Sequence, residues 1–366
     1  MRRSILVRLG VLVASLGLLA AACTTGDGNS EQAGGQQQAR STLDVVKERG
    51  RLICGVNDLL PGFGLLTEEG EFEGFDIDFC RAVAAGVLGD ADAVDFVPLT
   101  AETRFTALQA GEIDVLIRNT TWTSSRDGSE GTQFLTTTFY DGQGMMVNAD
   151  SPYESLSDMG GTVICVVSGT TTELNLASVF SSLGLDFEQL SFEENETLQQ
   201  AFEQGRCDGW TGDKSALAGL KAAWPARLGG PDALRILAET MSKEPLGPVV
   251  RDGDSDWAQA VDWVVLATIQ AEEFDIDSTN VLDLVESINP DRDPERARFL
   301  GLPGEEGVFD PGLGLPADFV VQVVSQVGNY GEIYERHVGP DTPVGLERLF
   351  NSLWTDGGLL YAPPYR

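Results

Sequence analysis

VDFVPLTAETRFTALQAGEIDVLIRN, residues 94–119, decides the fold class. Val94–Leu99 reads as a short apolar strand, Arg104–Ala110 as a helix ended by Gly111, and Val115-Leu116-Ile117 as another strand. Strands that alternate with helices need crossover connections, and crossovers pair strands in parallel. This stretch therefore belongs to an α/β layer.

Working outward, the same pattern runs on both sides. Leu52–Val56 is a short strand bounded by Asn57-Asp58, followed by a loop with Pro61, Gly62 and Gly64. Phe75–Leu88 reads as a helix, with Phe79, Val83 and Val87 at four-residue spacing on one face. The pattern restarts after Asp150. Thr162–Val167 is a strand, Ser168-Gly169-Thr170 a turn opening a helix at Thr171, and Phe187–Phe192 a further strand. Glu196–Gln204 is a helix closed by Gly205, and Cys207–Thr211 a strand ending at Gly212-Asp213. The chain returns to strand at Pro248-Val249-Val250, and Trp257–Ala271 is the clearest of the helices that follow. A chain of 366 residues is too long for one ordinary core. The expectation is two α/β lobes, 42–143 plus 248–366 and 144–247. Two glycine-containing crossing segments, Tyr140–Val147 and Glu244–Val250, are suited to hinges.

The first 22 residues are not part of the fold. Arg2, Arg3 and Arg8 precede or flank an apolar run, Ile5–Ala22, which ends in Ala20-Ala21-Ala22-Cys23. This is the pattern of a signal peptide, too short for an ordinary spanning helix. The small residues before Cys23 resemble a bacterial lipobox, although Ala20 stands where Leu is usual. The resemblance implies cleavage before Cys23, lipidation of its thiol and anchoring to the cell membrane, on the periplasmic side in a Gram-negative cell. Ordinary secretion is the alternative. TTGDGNSEQAGGQQQARS, residues 24–41, has no apolar periodicity and reads as a flexible tether.

Four further cysteines, Cys54, Cys80, Cys165 and Cys207, admit three pairings in an exported protein. Cys54 with Cys80 and Cys165 with Cys207 would place one bridge in each lobe; four buried thiols are the alternative.

Acidic residues outnumber basic ones, 57 to 24, for a formal charge of −33. Nucleic acid is excluded as a partner on that balance, because phosphate recognition needs clustered cations. The single histidine, His337, makes a His-based metal site or catalytic triad improbable and reads as a surface or packing residue. Gly212-Asp213-Lys214-Ser215 lacks the glycine that a phosphate-cradling loop needs before its lysine. No cofactor or metal is indicated. The carboxylate pairs Asp76/Asp78 and Glu272/Glu273 fall on expected helices, where solvated faces explain them.

What remains is a set of polar residues at strand ends, where open α/β sheets bind ligands. Asn119-Thr120-Thr121-Trp122-Thr123-Ser124-Ser125-Arg126 follows one strand, Ser168-Gly169-Thr170-Thr171 opens a helix, and Asp213 ends a strand. A guanidinium binds a carboxylate as a planar fork, a helix N-terminus adds free N–H groups, and an aspartate suits an ammonium.

LICGVN (52–57), GFDIDFCRAVAAGVLGD (74–90), FVPLTAETRFTALQAGEIDVLIRNTTWTSSRD (96–127), FYDGQG (139–144), SGTTTELNLA (168–177), GRCDGWTGD (205–213), SKEPLGPVVRDGD (242–254), VGNYGEIYERHVGP (327–340) and GGLLYAPPYR (357–366) carry a family resemblance. Over about Ser41–Arg366 the chain resembles the polar-amino-acid family of bacterial solute-binding proteins, and its general L-amino-acid binders in particular. The resemblance implies a type II periplasmic-binding-protein fold, two lobes closing on a free L-amino acid. It also implies ABC-importer permease subunits as partners and a monomeric receptor rather than an enzyme. By position it implies that Arg126 grips the α-carboxylate with Thr121 and Thr171. The Asn119 carbonyl would accept from the ammonium, with Asp213 as countercharge. Arg104, Trp122 and Phe63 would line the side-chain pocket.

Two other functions share this architecture. A dehydratase of prephenate-like acids would need a proton donor in the cleft, with Glu173 and Asp213 as candidates. An amino-acid sensor would need a signalling partner outside this chain.

Overall fold

Leu52–Val56 is the centre from which the first sheet grows. It pairs in parallel with Val94–Pro98 on one side and Val115–Leu116 on the other. Two antiparallel strands then extend the sheet, Val249–Arg251 and Thr132–Phe134. A second five-stranded sheet has the order Phe187–Phe192, Thr162–Val167, Gly209–Asp213, Gln143–Asn148, Leu234–Ile236. Its first three strands are parallel and the last two antiparallel. Between the two, Phe139–Asp141 and Glu244–Leu246 form a two-stranded antiparallel ribbon. These ribbon strands lie within or beside the two segments whose glycines suggested hinges. A computed structural model describes residues 40–305 and 307–366. The signal-peptide, lipidation and most of the tether expectations lie outside those residues. Among the described residues no helix is long and apolar enough to cross a membrane.

Helix Phe75–Leu88 shows how the first core is built. Twelve of its fourteen residues are buried, so it is enclosed on nearly every side rather than lying on a surface. It packs against helices Ser255–Glu273 and Phe319–Gln326. That environment corrects the solvated-face reading of its two acids. Asp78 is 4 % exposed and bonds His337 Nε2 at 2.7 Å, Arg81 at 3.1 Å and Arg336. Burial alone would raise its carboxyl, but His337, Arg336 and Arg81 outweigh it and hold the group below the usual range. Asp76 is 3 % exposed and receives the Asn119 N–H at 2.6 Å. Glu272 is also not simply solvated, because Arg348 grips it as a fork at 2.9 and 3.1 Å.

Both cysteine pairs are bridged. Cys54–Cys80 fastens the central strand to helix Phe75–Leu88 with Cα atoms 6.1 Å apart. Cys165–Cys207 ties strand Thr162–Val167 to the entry of its neighbour with Cα atoms 5.8 Å apart. Residues beyond 276 add to the first core. Helix Tyr330–His337 covers both Phe75–Leu88 and Ser255–Glu273. Tyr365 packs edge-on against Trp263, Phe299 and Phe309 at 5.5–5.8 Å. Asn351 takes both backbone groups of Tyr140 on the ribbon, at 2.7 and 3.2 Å.

Candidate functional site

The carboxyl ends of parallel strands in both sheets meet at one cavity. The first sheet contributes Asn57, Arg118 and Asn119, and the connecting segments add Arg104, Thr121 and Arg126. The second contributes Val167, Thr170, Thr171, Thr211 and Asp213. The geometry follows from the fold, since the loops beyond strand ends are the positions a parallel sheet leaves free for ligands.

Arg126 is placed by local chain chemistry. Thr123 caps the short helix Ser124–Ser129, its hydroxyl receiving the Arg126 N–H at 3.2 Å. The Arg126 guanidinium is 9 % exposed and donates to the carbonyls of Thr121 at 3.0 Å and Gly169 at 3.4 Å. Burial pushes it below the usual range, and Asp213 and Glu244 counter that push. Arg104 begins helix Arg104–Ala110 and is 2 % exposed. Its contacts to Thr120 Oγ1 and the Gly169 carbonyl are long, both 3.5 Å, and its Nε has no partner. Burial first, then the nearby Arg126 and Arg118, push this guanidinium well down. Both Arg104 and Arg126 lie over the ring of Phe105, at 5.2 and 5.4 Å. Arg118 donates to the Leu99 carbonyl at 2.6 Å, and burial brings it to about 10.

Gly169 joins the two halves of the site. Its carbonyl serves both arginines and its φ is +70°. A Cβ there would stand 2.9 Å from Glu102 Cγ and 3.3 Å from Glu102 Cα, so the turn has room only for glycine.

Asp213 ends its strand and starts helix Lys214–Ala222 without capping it through its side chain. It is 8 % exposed, and its Oδ1 has no hydrogen-bond partner. Burial, Asp141 and Glu244 push its carboxyl well up, against the pull of Arg126 and Arg104. Thr171, at the start of helix Thr171–Leu183, donates its hydroxyl to Glu244 Oε2 at 2.7 Å. Its oxygen then accepts from Thr121 Oγ1 at 3.3 Å, which links the two sheets. Asn119 has φ +31°, a conformation held by its N–H bond to Asp76. Burial raises Asp76 to about 7, against the Asn119 N–H and Arg118.

The structure thus brings Arg104, Asn119, Thr121, Arg126, Thr171 and Asp213 together and leaves Phe63 and Trp122 out. Phe63 is fully buried in the first core, edge-on to Phe139 at 5.2 Å and Phe75 at 5.8 Å. Trp122 is 43 % exposed and stacks on Phe134 at 6.1 Å, away from the cavity. Glu173 is likewise outside; its carboxylate receives Gly169 N–H, Gln189 and Ser191. Sequence reasoning did not single out Arg118, Phe105, Asp141 or Glu244. The cavity lining carries three guanidiniums and a single carboxylate. The arrangement can hold a small molecule with an ammonium at Asp213 and acidic groups toward the arginines.

Residues 52–276 match the family of bacterial extracellular solute-binding proteins, family 3. The chain is 46 % identical to the glutamate/glutamine/aspartate/asparagine-binding protein BztA of Rhodobacter capsulatus, over 89 % of this chain and 94 % of that protein. It is also 46 % identical to the general L-amino acid-binding periplasmic protein AapJ of Rhizobium johnstonii, over 91 % of this chain and 95 % of that protein. Among solved structures, a periplasmic binding protein of an ABC transporter from Brucella ovis, with glutathione bound, is 45 % identical. It superposes with a TM-score of 0.84 over 89 % of this chain and 100 % of its own.

Proposed function

Since the chain belongs to the bacterial extracellular solute-binding proteins, family 3, we propose that it captures a free L-amino acid outside the cytoplasm and delivers it to an ABC-type importer. In this reading residues 42–143 plus 248–366 form one lobe and 144–247 the other, and the ligand closes them. Arg126 takes the α-carboxylate with the backbone N–H of Thr121, whose hydroxyl hydrogen is given to Thr171. Thr171 adds a helix-terminal N–H, because Glu244 already engages its hydroxyl hydrogen. Asp213 and the Asn119 carbonyl take the ammonium. One observation carries the reading. Arg126 and Asp213, opposite charges from different sheets, line one cavity, and Asp213 Oδ1 lacks a donor there. A zwitterion supplies what each lacks.

Arg104 narrows the ligand class. A buried guanidinium keeps its charge and is costly without an anion. Only Asp213 lines the cavity with negative charge, and three arginines face it. A second ligand carboxylate would pair with Arg104, whose Nε has no partner, so the preferred ligands are glutamate and aspartate, with their amides binding more weakly. The name of the Rhodobacter capsulatus relative includes both acids together with both of their amides. The cavity measures about 70 Å³, where one water needs ~10–15 Å³; it has the capacity of a few waters, in keeping with a single amino acid.

The dehydratase reading is less well supported. Glu173, one of its two candidate proton donors, lies outside the cavity with its oxygens engaged. We further propose that cleavage before Cys23 and lipidation of its thiol anchor the receptor to the membrane, with residues 24–41 as tether and permease subunits as partners. A thermal-shift panel of the twenty amino acids tests the function. Ligand at a hundredfold excess over Kd stabilises the protein by about 2.7 kcal/mol. Glutamate and aspartate should raise the melting temperature most. A panel in which no amino acid raises it would sink the reading.

A further inference from the structure

The ammonium end of the cavity holds more negative charge than one ligand cation requires. Asp141 and Glu244 face each other in register across the ribbon that joins the two sheets. Directly opposed residues of an antiparallel pair share a face. Glu244 is buried and Asp141 half-buried, and each is tied to the second sheet's helices. Asp141 receives the backbone N–H groups of Gly142 at 2.7 Å and Ser215 at 3.1 Å. Glu244, 1 % exposed, receives Thr171 Oγ1, Asn175 Nδ2 at 3.0 Å and Ser242 Oγ. Ser215 lies two residues beyond Asp213, so Asp141 packs against the same helix entrance.

Asp213 is the member of this group that lines the cavity, and it is incompletely bonded. Its Oδ1 has no donor, and its register partner Gln143 has a buried Oε1 that also has none. Two buried acceptors on paired residues are each short of a hydrogen. The cations facing Asp213 are Arg126, from helix Ser124–Ser129, and Arg104, from helix Arg104–Ala110. Neither donates to it. Lys214, the next residue, turns away to the Ala238 carbonyl at 2.8 Å. Tyr334, on helix Tyr330–His337, is near enough to Asp141 for that charge to raise its phenol. Asp213 and Asp141, neither with a cation in contact and both beside Glu244, cannot both remain charged, because like charges raise one another's proton affinity.

We propose that Asp213 and Asp141, beside Glu244, form one ammonium subsite whose two aspartates hold a proton while the site is empty and release it to solvent when the ligand's ammonium arrives. This rests on the amino-acid reading of the cavity. The exchange balances. One positive charge, the ligand's –NH3⁺, enters and keeps its own protons; one H⁺ leaves the carboxylate group for the buffer. Asp141 and Glu244 are positioning residues, since they act on the ligand through the charge state of Asp213. Burial raises Asp141 to about 6, in agreement with the arrangement. The direction follows. Protons compete with the ammonium, so affinity rises with pH until the empty subsite has lost its proton.

The test is titration calorimetry with L-glutamate on the full mature chain. The measurements run from about pH 5.5 to 7.5 in buffers of different ionisation enthalpy. The proposal predicts an apparent enthalpy that varies linearly with buffer ionisation enthalpy, the slope corresponding to release of part of a proton per ligand. It also predicts tighter binding as pH rises. Asp141→Asn keeps an acceptor for only one of Gly142 and Ser215, removes one like charge and should lower the slope. Glu244→Gln, which retains an acceptor for Thr171, should do the same if the first variant folds poorly. Binding with no buffer dependence at any of these pH values overturns the proposal and leaves the amino-acid reading standing. Absence of L-glutamate binding at every pH overturns both.

Discussion

Replacing Arg104 by methionine should separate acidic from neutral ligands. The wild-type side chain is 2 % exposed, holds two hydrogen bonds at the 3.5 Å limit and has an Nε without a partner. Two further guanidiniums stand close by. The ligand-free protein therefore gains little from this charge. Among the described residues Arg104 is in no ion pair, so its removal relieves a desolvation cost without stranding a bonded partner, and the variant should melt no lower than the wild type. With glutamate bound the balance reverses. The variant leaves the ligand's side-chain carboxylate buried without its partner, a loss of roughly 2–5 kcal/mol. At 1.4 kcal/mol per decade that is about 30-fold to a few-thousand-fold in Kd. Alanine, which has no second carboxylate, should change by less than about tenfold. Calorimetry with glutamate, aspartate, glutamine and alanine on both proteins measures the four ratios. Equal losses for alanine and glutamate would show that Arg104 serves the common amino-acid backbone or the fold, and would refute the selectivity argument.

The remaining predictions concern the bridges, a buried acid and the anchor. Removing Cys54–Cys80, which closes a 26-residue separation, should cost about 3.5 kcal/mol, and removing Cys165–Cys207, over 42 residues, about 4 kcal/mol; denaturant titration of the paired Cys→Ser variants checks both. Asp76, raised to about 7 by burial, contributes stability that is full below its unfolded value and lost as pH rises through about 7. Asp76→Asn should flatten the fall in melting temperature between about pH 5 and 8, and an unchanged profile would count against the assignment. Cys23→Ala should leave the precursor uncleaved or release the protein from membranes, as cell fractionation would show; normal cleavage with full membrane retention would end the lipid-anchor proposal.

The α/β class was legible because parallel strands and crossover helices leave a periodic trace, and the segment 94–119 carries a complete unit. The cavity lining was legible where polar residues cluster at strand ends, as at Asn119, Thr121, Arg126, Thr170 and Thr171. Phe63 and Trp122 were misplaced because aromatic residues near a site satisfy a core or a surface stack as readily as a pocket. Asp76 and Asp78 were misread although a signal existed. Apart from Arg81, the rest of FDIDFCRAVAAGVL is apolar or small around its whole circumference, which marks a buried helix whose acids need partners. Arg118, Asp141 and Glu244 had no local signal as site residues. Asp141 and Glu244 are about a hundred residues apart in sequence and become neighbours only through strand pairing in the ribbon.

The central claim is that one buried guanidinium holds the carboxylate common to every amino acid. It is tested most directly by titrating Arg126→Ala, with its fold verified by circular dichroism, against the amino acids that stabilise the wild type. Affinity should fall by roughly 2–5 kcal/mol for all of them alike, acidic and neutral, with secondary structure unchanged. A folded variant that retained near-native affinity for any of those amino acids would contradict it.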